Sequence, residues 1–441
     1  MTDALENILI SYEQDDFEQR LGNLRLAIIE LARFAAGDER YKQVRQVFHA
    51  VAERKDEAVA QFTEKFDGVR LSPSEFRISE QELEKAHKEL DGKLLKSLRK
   101  AISNVRKYQG EIFIGNYPDL YRHSGIRYTP IRRVGICVPG ASAPLPSTVI
   151  MTAVPAQVAG VKELVVVSPP RYKGTIHPVI LAVCHELGIK EVYRVGGAQA
   201  VAALTTGTES ICRVDKIVGP GNQWVQTAKS QAFGLVGIDS IAGPSEVLII
   251  ANNKANAAWV AADMLSQAEH DPGSATVFTD SKELAEQVID ELKKAVQLLS
   301  RRQAASKCLQ AFSIVAVFKG FDDVIRAANG FAPEHLQIHC GDESRRIAER
   351  VENAGAIFIG EYSPAAVGDY WAGPSHTLPT GTSSRFFSAL SANDFIKSTS
   401  IIEYDKAALA GAAEDIIRLA EVEGLDAHAQ SIRIRRQGRT K

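Results

Sequence analysis

The chain has 441 residues, and its 45% hydrophobic and 24% charged shares fit ordinary globular usage, with length for more than one domain at ~100–200 residues each. A formal net charge of -2 with no basic stripe argues against nucleic acid as the main partner. Apolar runs such as VLIIA (247–251) stop far short of the ~20 residues of a membrane span. The amino terminus is acidic without a charged-then-apolar export pattern, and five scattered cysteines, never in CxxC spacing, read as buried free thiols of a cytoplasmic protein.

Residues 1 to about 125 read as helix, with apolar positions at helical spacing in RLGNLRLAIIELARFAA (20–36) and QELEKAHKELDGKLLKSLRKAISNVRKY (81–108). From about 126, short Val- and Ile-rich runs alternate with helical stretches, and Gly or Pro marks the junctions. One series runs VGICVP (134–139), helix 147–160, ELVVVSP (163–169), helix 175–187, EVYRVGG (191–197), a helix, KIVG (216–219) and a helix from Asn222. A second runs EVLIIA (246–251), helix 255–270, ATVFT (275–279), helix 281–298, SIVAVF (313–318) and AIFIG (356–360). Such alternation predicts an α/β fold with two open parallel sheets covered on both faces. The tail from about 385 again reads as charged helix.

No GxGxxG follows any predicted strand, which counts against a conventional dinucleotide fold. Three other Gly-containing strand-to-helix junctions, at 139–148, 196–204 and 219–226, can offer backbone N–H groups to phosphates. Any one of them reads more readily as an ordinary turn, and three in one domain are more suggestive than one.

Of ten histidines, His49, His87 and His185 fall in helical patterns, and His123, His177 and His339 have no acidic or histidine partner at useful spacing. The others keep unusual company. SQAEHDPGS (266–274) sets Gln267 and His270 three apart at a helix end, hence on one face, with Asp271 available to orient the ring. FAPEHLQI (331–338) sets Glu334 beside His335, a pair suited to acid–base work near neutral pH. GDYWAGPSHTLPTG (368–381) is a polar, Gly/Pro-punctuated loop holding Asp369 and His376, and VEGLDAHAQS (422–431) holds Glu423 and His428 in the helical tail. The first two, each taken alone, read more readily as structural polarity than as chemistry, whereas a loop so rich in polar chemistry and poor in regular structure usually binds something. A metal taking imidazole and oxygen donors from such a set would be Zn²⁺ sooner than Mg²⁺ or Ca²⁺.

With IDSIAGPSEVL (238–248) ahead of them, these segments resemble histidinol dehydrogenases in motif and order, over nearly the whole chain from about residue 40. The resemblance implies two incomplete Rossmann-like open-sheet domains with helical N-terminal and C-terminal extensions. Residues 1–30 would be the first extension, 31–129 with 239–385 the catalytic zinc domain, 130–238 an inserted NAD domain, and 386–441 the tail. It implies one zinc ion per subunit on Gln267, His270, Asp369 and His428. Substrate contacts would come from Ser245, Gln267, His270, His335, Asp369, Glu423 and His428, and NAD contacts from Gln199 and Asn222. Glu334, His335 and His376 would be catalytic. The subunits would form a homodimer with shared active sites, each tail completing the other's site, and would oxidise L-histidinol to L-histidine via L-histidinal with two NAD⁺. Departures from the family's usual residues are Cys137 for Tyr, Ala365 for an acidic residue and Ser375 for Asn.

Three rivals stand beside this reading. A relative acting on another small polar alcohol keeps fold, zinc and NAD; a silent homologue would only bind; a metallohydrolase gives the cofactor domain no role.

Overall fold

The computed structural model describes residues 3–32, 38–116, 123–140, 144–269 and 273–436. Thirteen strands are present among them: β1 Leu9–Ser11, β2 Ser124–Pro130, β3 Arg133–Cys137, β4 Glu163–Val167, β5 Glu191–Tyr193, β6 Lys216–Val218, β7 Gly237–Ile238, β8 Ser245–Ala251, β9 Gly273–Thr279, β10 Ser313–Val317, β11 His335–His339, β12 Ala356–Ile359 and β13 Ile396–Ile402. They form a five-stranded sheet in the order β5-β4-β3-β6-β7, a six-stranded sheet in the order β1-β10-β9-β8-β11-β12, and the pair β13-β2. The two larger sheets are wholly parallel. The five-stranded sheet, and β8 to β12 of the six-stranded one, start at a central strand, step outward twice on one side, then return to build the other side, the half-Rossmann order 3-2-1-4-5; β1 adds an edge beside β10.

Continuous apolar runs such as EVLIIA become buried parallel strands because both sheet faces are covered. In β8, Val247, Ile249 and Ala251 enter the core that contains Val260, Ala261 and Met264 of the helix Ala257–Ala268. Leu248 and Ile250 enter the opposite core with Phe278, Phe331 and Ile338. The five-stranded sheet packs Val165, Val167, Val195 and Ile217 against the helix Gly197–Thr206 and the helical segment Glu39–Asp67. A cationic crosspiece ties the amino ends of that sheet: Arg133 on β3 donates twice to Glu191 on β5, at 2.7 Å each, and to Glu163 on β4 at 3.0 Å.

Several expectations need correction. The first thirty residues are not helix alone, because Leu9–Ser11 pairs with β10 as the edge of the six-stranded sheet. The segment near 125 and the start of the tail are strands, β2 and β13, paired antiparallel over seven residues; their mixed, half-exposed pattern hides any period-2 signal. Helices Arg302–Phe312 and Phe321–Phe331 fall outside the expected series. FAPEHLQI holds a buried strand, and the loop 368–381 starts inside the short helix Ala365–Tyr370. All five cysteines are free, yet Cys212 is exposed.

The chain forms two compact units, Met1–Phe113 with Ile131–Phe395, and Ile114–Pro130 with Ile396–Lys441. In the second, helices Lys406–Val422 and Asp426–Arg436 form a hairpin turned at Gly424, whose φ is 71°. Among the described residues, no helix is long and apolar enough to cross a membrane.

Candidate active site

Ser245, Gly273 and His335 are the first residues of β8, β9 and β11, so the site is built at the amino ends of the six-stranded sheet. Glu334 and His335 are both buried. The Glu334 carboxylate accepts from the Ser245 hydroxyl at 2.8 Å and from the Glu246 amide at 2.7 Å. His335 donates from Nδ1 to the Glu246 carbonyl at 2.9 Å, and its Nε2 lies 3.5 Å from Asp369 Oδ1. That bond selects the tautomer: Nδ1 is committed to the backbone, and Nε2 is the atom turned toward chemistry. Burial opposes protonation of His335, but the Glu334 and Asp369 carboxylates outweigh it and hold the imidazole well above its ordinary value. His376 donates from Nδ1 to the Asp369 carbonyl at 3.2 Å, and burial pushes its own proton affinity below the usual range, so it is a neutral neighbour.

Five singled-out residues thus converge: Ser245, Glu334, His335, Asp369 and His376. Gln267, in the last turn of the helix Ala257–Ala268, is buried with an amide nitrogen that finds no partner among the described residues. An unsatisfied buried amide is costly, and something must complete its surroundings. His270 and Asp271 lie outside the described residues. Glu423 caps the helix Lys406–Val422 and His428 lies in Asp426–Arg436, so Gly424 breaks the single helical tail expected for them; both are exposed. Among the described residues, no three His, Cys, Asp or Glu side chains cluster as metal ligands. The donors that can be tested are of kinds zinc accepts: a buried glutamine, which would ligate through its amide oxygen, and a carboxylate beside an imidazole.

Two residues escape the sequence reading. Glu246, adjacent to Ser245, is buried and accepts from the Gly381 amide, which anchors the end of the 368–381 loop to β8. Burial pushes its carboxyl up to about 8. His339, for which sequence offers no partner, has Nε2 at 3.5 Å from Asp263 Oδ2, and burial pushes it down to about 4. The signal for Glu246 is an acid opening an otherwise apolar run.

A second feature occupies the carboxyl ends of the five-stranded sheet. A cavity of about 550 Å³ is lined there by Cys137, Gly140, Pro169, Gly196, Gln199 and Asn222, with Asp67 and Arg171 at its wall. It lies at the switch point between β3 and β6, where open α/β sheets bind ligands. Gly219 has φ 106°, and a Cβ there would collide with the Cys137 carbonyl. Gly197, with φ 67°, brings the backbone against Gln199, whose Nε2 donates to Asp67 at 3.2 Å and whose buried Oε1 has no partner among the described residues. Asn222 caps the helix Gln223–Ala232 through Oδ1, accepting from Trp224 N at 3.1 Å and Val225 N at 3.2 Å. Burial pushes the Cys137 thiol up to about 12, so the residue standing for Tyr is an inert, uncharged wall. The remaining departures are quiet: the Ser375 hydroxyl donates to the Met151 carbonyl at 2.9 Å, and Ala365 opens the helix bearing Asp369.

The histidinol dehydrogenase family model matches residues 33–436. A histidinol dehydrogenase of Rhodopirellula baltica is 47% identical over 383 residues, 86% of this chain and 83% of that one. One from a Synechococcus species is 44% identical over 402 residues, 90% and 92% of the two chains. The crystal structure of histidinol dehydrogenase from Elizabethkingia anophelis superposes with a TM-score of 0.89 at 33% identity and covers 98% of both chains. With the family model matched over most of its length and these relatives alike across nearly the whole fold, the chain belongs to the histidinol dehydrogenase family.

Proposed function

We propose that this protein is a cytoplasmic, homodimeric, NAD- and zinc-dependent enzyme that oxidises L-histidinol to L-histidine through L-histidinal in histidine biosynthesis. The observation that carries the reading is the buried Glu334–His335 pair, joined to Ser245 and Asp369, in a chain that also holds a dinucleotide-sized cavity at a switch point. Residues 130–238 would be the NAD domain, 31–129 with 239–385 the catalytic domain, 1–30 an extension and 386–441 the tail that supplies Glu423 and His428 to the second subunit. Zinc would be held by Gln267, His270, Asp369 and His428, and would supply a Lewis-acidic template for the substrate's nitrogen atoms.

Four electrons separate the amino alcohol from the amino acid, so two NAD⁺ each accept one hydride. His335 takes the hydroxyl proton at Nε2 while the first hydride leaves the carbinol carbon. Glu334 withdraws a proton from water as it adds to the aldehyde, His335 returns its proton to the aldehyde oxygen, and the neutral ring then takes the hydrate's hydroxyl proton as the second hydride leaves. Ser245 holds the Glu334 carboxylate in place, and His376 fixes the loop that carries Asp369. Gln199 and Asn222 line the cofactor's cavity.

The deciding experiment counts NADH per histidine formed from L-histidinol by the zinc-replete protein. Two per histidine, abolished by chelation and restored by zinc, is the expected result. Stoichiometrically bound zinc without NADH would overturn the substrate and direct attention to other small polar alcohols.

A further inference from the structure

Three elements carry the proposed zinc donors or the catalytic histidine, and each bears a second group one step deeper in the sheet. On β11, side chains alternate, so His335, Gln337 and His339 share the face turned toward the helix Ala257–Ala268, while Leu336 and Ile338 enter the opposite core. On that helix, Asp263 and Gln267 are one turn apart and share a face. On the helix Ala365–Tyr370, Ala365 and Asp369 are likewise one turn apart. Both helices run back toward the amino ends of the strands. The first links β8 to parallel β9, and the second passes from Ala365 beside Gln337 to Asp369 beside His335.

The deeper rung is joined by one side chain. Gln337 is fully buried. Its amide, oriented as its neighbours require, accepts from Ala365 N at 2.8 Å and donates to Asp263 Oδ2 at 2.7 Å and His339 Nε2 at 3.3 Å. A single carboxamide therefore bolts both helices to the strand that bears His335. A buried glutamine with both ends satisfied holds one geometry, because any shift of either helix strands a polar group.

We propose that Gln337 is a positioning residue for the metal centre: with Asp263 and the Ala365 amide it sets the separation of the helices bearing Gln267 and Asp369. The proposal rests on the zinc reading of those two residues. Side chains behind metal ligands commonly govern affinity by about 10–100-fold, with no contact to metal or substrate.

The test is zinc affinity by chelator competition, together with the visible spectrum of the cobalt(II)-substituted protein, for wild type, Gln337→Leu, Asp263→Ala and the double variant. Asp263 lies at the rim of the network, so Asp263→Ala breaks the bolt even if Gln337→Leu fails to fold. Expected are a loss of zinc affinity of about 10–100-fold in each single variant, an altered cobalt spectrum, and a double variant little worse than either single one, as two halves of one connection require. Folded Asp263→Ala with wild-type zinc affinity and cobalt spectrum overturns the proposal, as do fully additive losses. Wild-type protein that takes up no zinc overturns the metal site itself and the positioning role with it.

Discussion

At His335 the local environment has settled two questions before any substrate arrives. The Glu246 carbonyl accepts a hydrogen bond from Nδ1, and the flanking carboxylates favour the charged ring despite its burial, so the ring must shed its Nε2 proton before it can serve as a base. A general base contributes about 10²–10⁴-fold, so His335→Asn is expected to lower kcat by that order while zinc stays bound; concurrent zinc loss would show that the ring's part is structural. Glu334→Gln should slow oxidation of histidinal more than that of histidinol, read by supplying each separately. Glu246 makes a different prediction. Folding raises its carboxyl to about 8, so its contribution to stability is complete below the ordinary carboxyl range and drains away as pH climbs toward 8. Glu246→Gln keeps an acceptor for the Gly381 amide and has no proton to lose. Its Tm should therefore gain on wild type between about pH 5 and 8 in thermal unfolding; parallel curves would show that Glu246 keeps its ordinary affinity.

Among the elements, the short connection 239–244 does the most to relate the two sheets. It leaves the carboxyl end of β7 and reaches the amino end of β8 in six residues, so the cofactor cavity and the Glu–His pair open toward adjoining ends. The connection is pinned. Asp239 accepts from Gly219 N at 2.7 Å and pairs with the buried Lys229, whose ammonium donates to the Gly219 carbonyl at 2.9 Å. Ala242 N donates to Gln226 at 3.0 Å. Removing one partner of a buried ion pair costs about 3–5 kcal/mol. Lys229→Met should cost stability on that scale and raise KM for NAD⁺ more than for histidinol, since Gly219 leads directly into Pro220 and Gly221, which line the cavity. The double variant Lys229→Met with Asp239→Asn should recover stability without recovering the cofactor KM. Equal changes in both KM values would remove the loop's cofactor role.

Across the whole molecule, the proposed sharing of tails predicts complementation. His335→Asn protein mixed with His428→Ala protein should regain activity after dissociation and reassociation, because a mixed dimer assembles one intact site; mixtures as inactive as their parents would place each tail in its own subunit's site. Much of the architecture is legible in sequence, because parallel strands buried on both faces leave apolar runs such as ELVVV and VLIIA with Gly or Pro at their ends. β11 is not legible: His335, Gln337 and His339 occupy every other position, and their burial depends on partners from two distant helices. β1 and β13 are hidden for the opposite reason, being edges that need little apolar content. Within the site, Ser245, Glu334, His335, Asp369 and His376 stand out by motif. Glu246 and Asp263 do not, because their significance lies in what covers them.

The helical segment Glu39–Asp67 breaks at Lys55, where φ is 50° and ψ is -126°. Gln43, Val44 and Val47 precede the break, Phe66 and Asp67 follow it, and all five line the cavity proposed for the cofactor. In an unbroken helix at ~1.5 Å per residue, Gln43 and Asp67 would stand roughly 36 Å apart, too far to wall one chamber. The bend turns a rod into a clasp whose arms meet across the chamber. Its elbow is fastened to the loop beyond the Gly197–Thr206 helix: Lys55 donates to the Gly207 carbonyl at 3.3 Å, and Asp56 accepts from Ser210 N at 3.0 Å. The width of the chamber is thus set in part from its far side, by the backbone conformation of one lysine that is not among its lining residues.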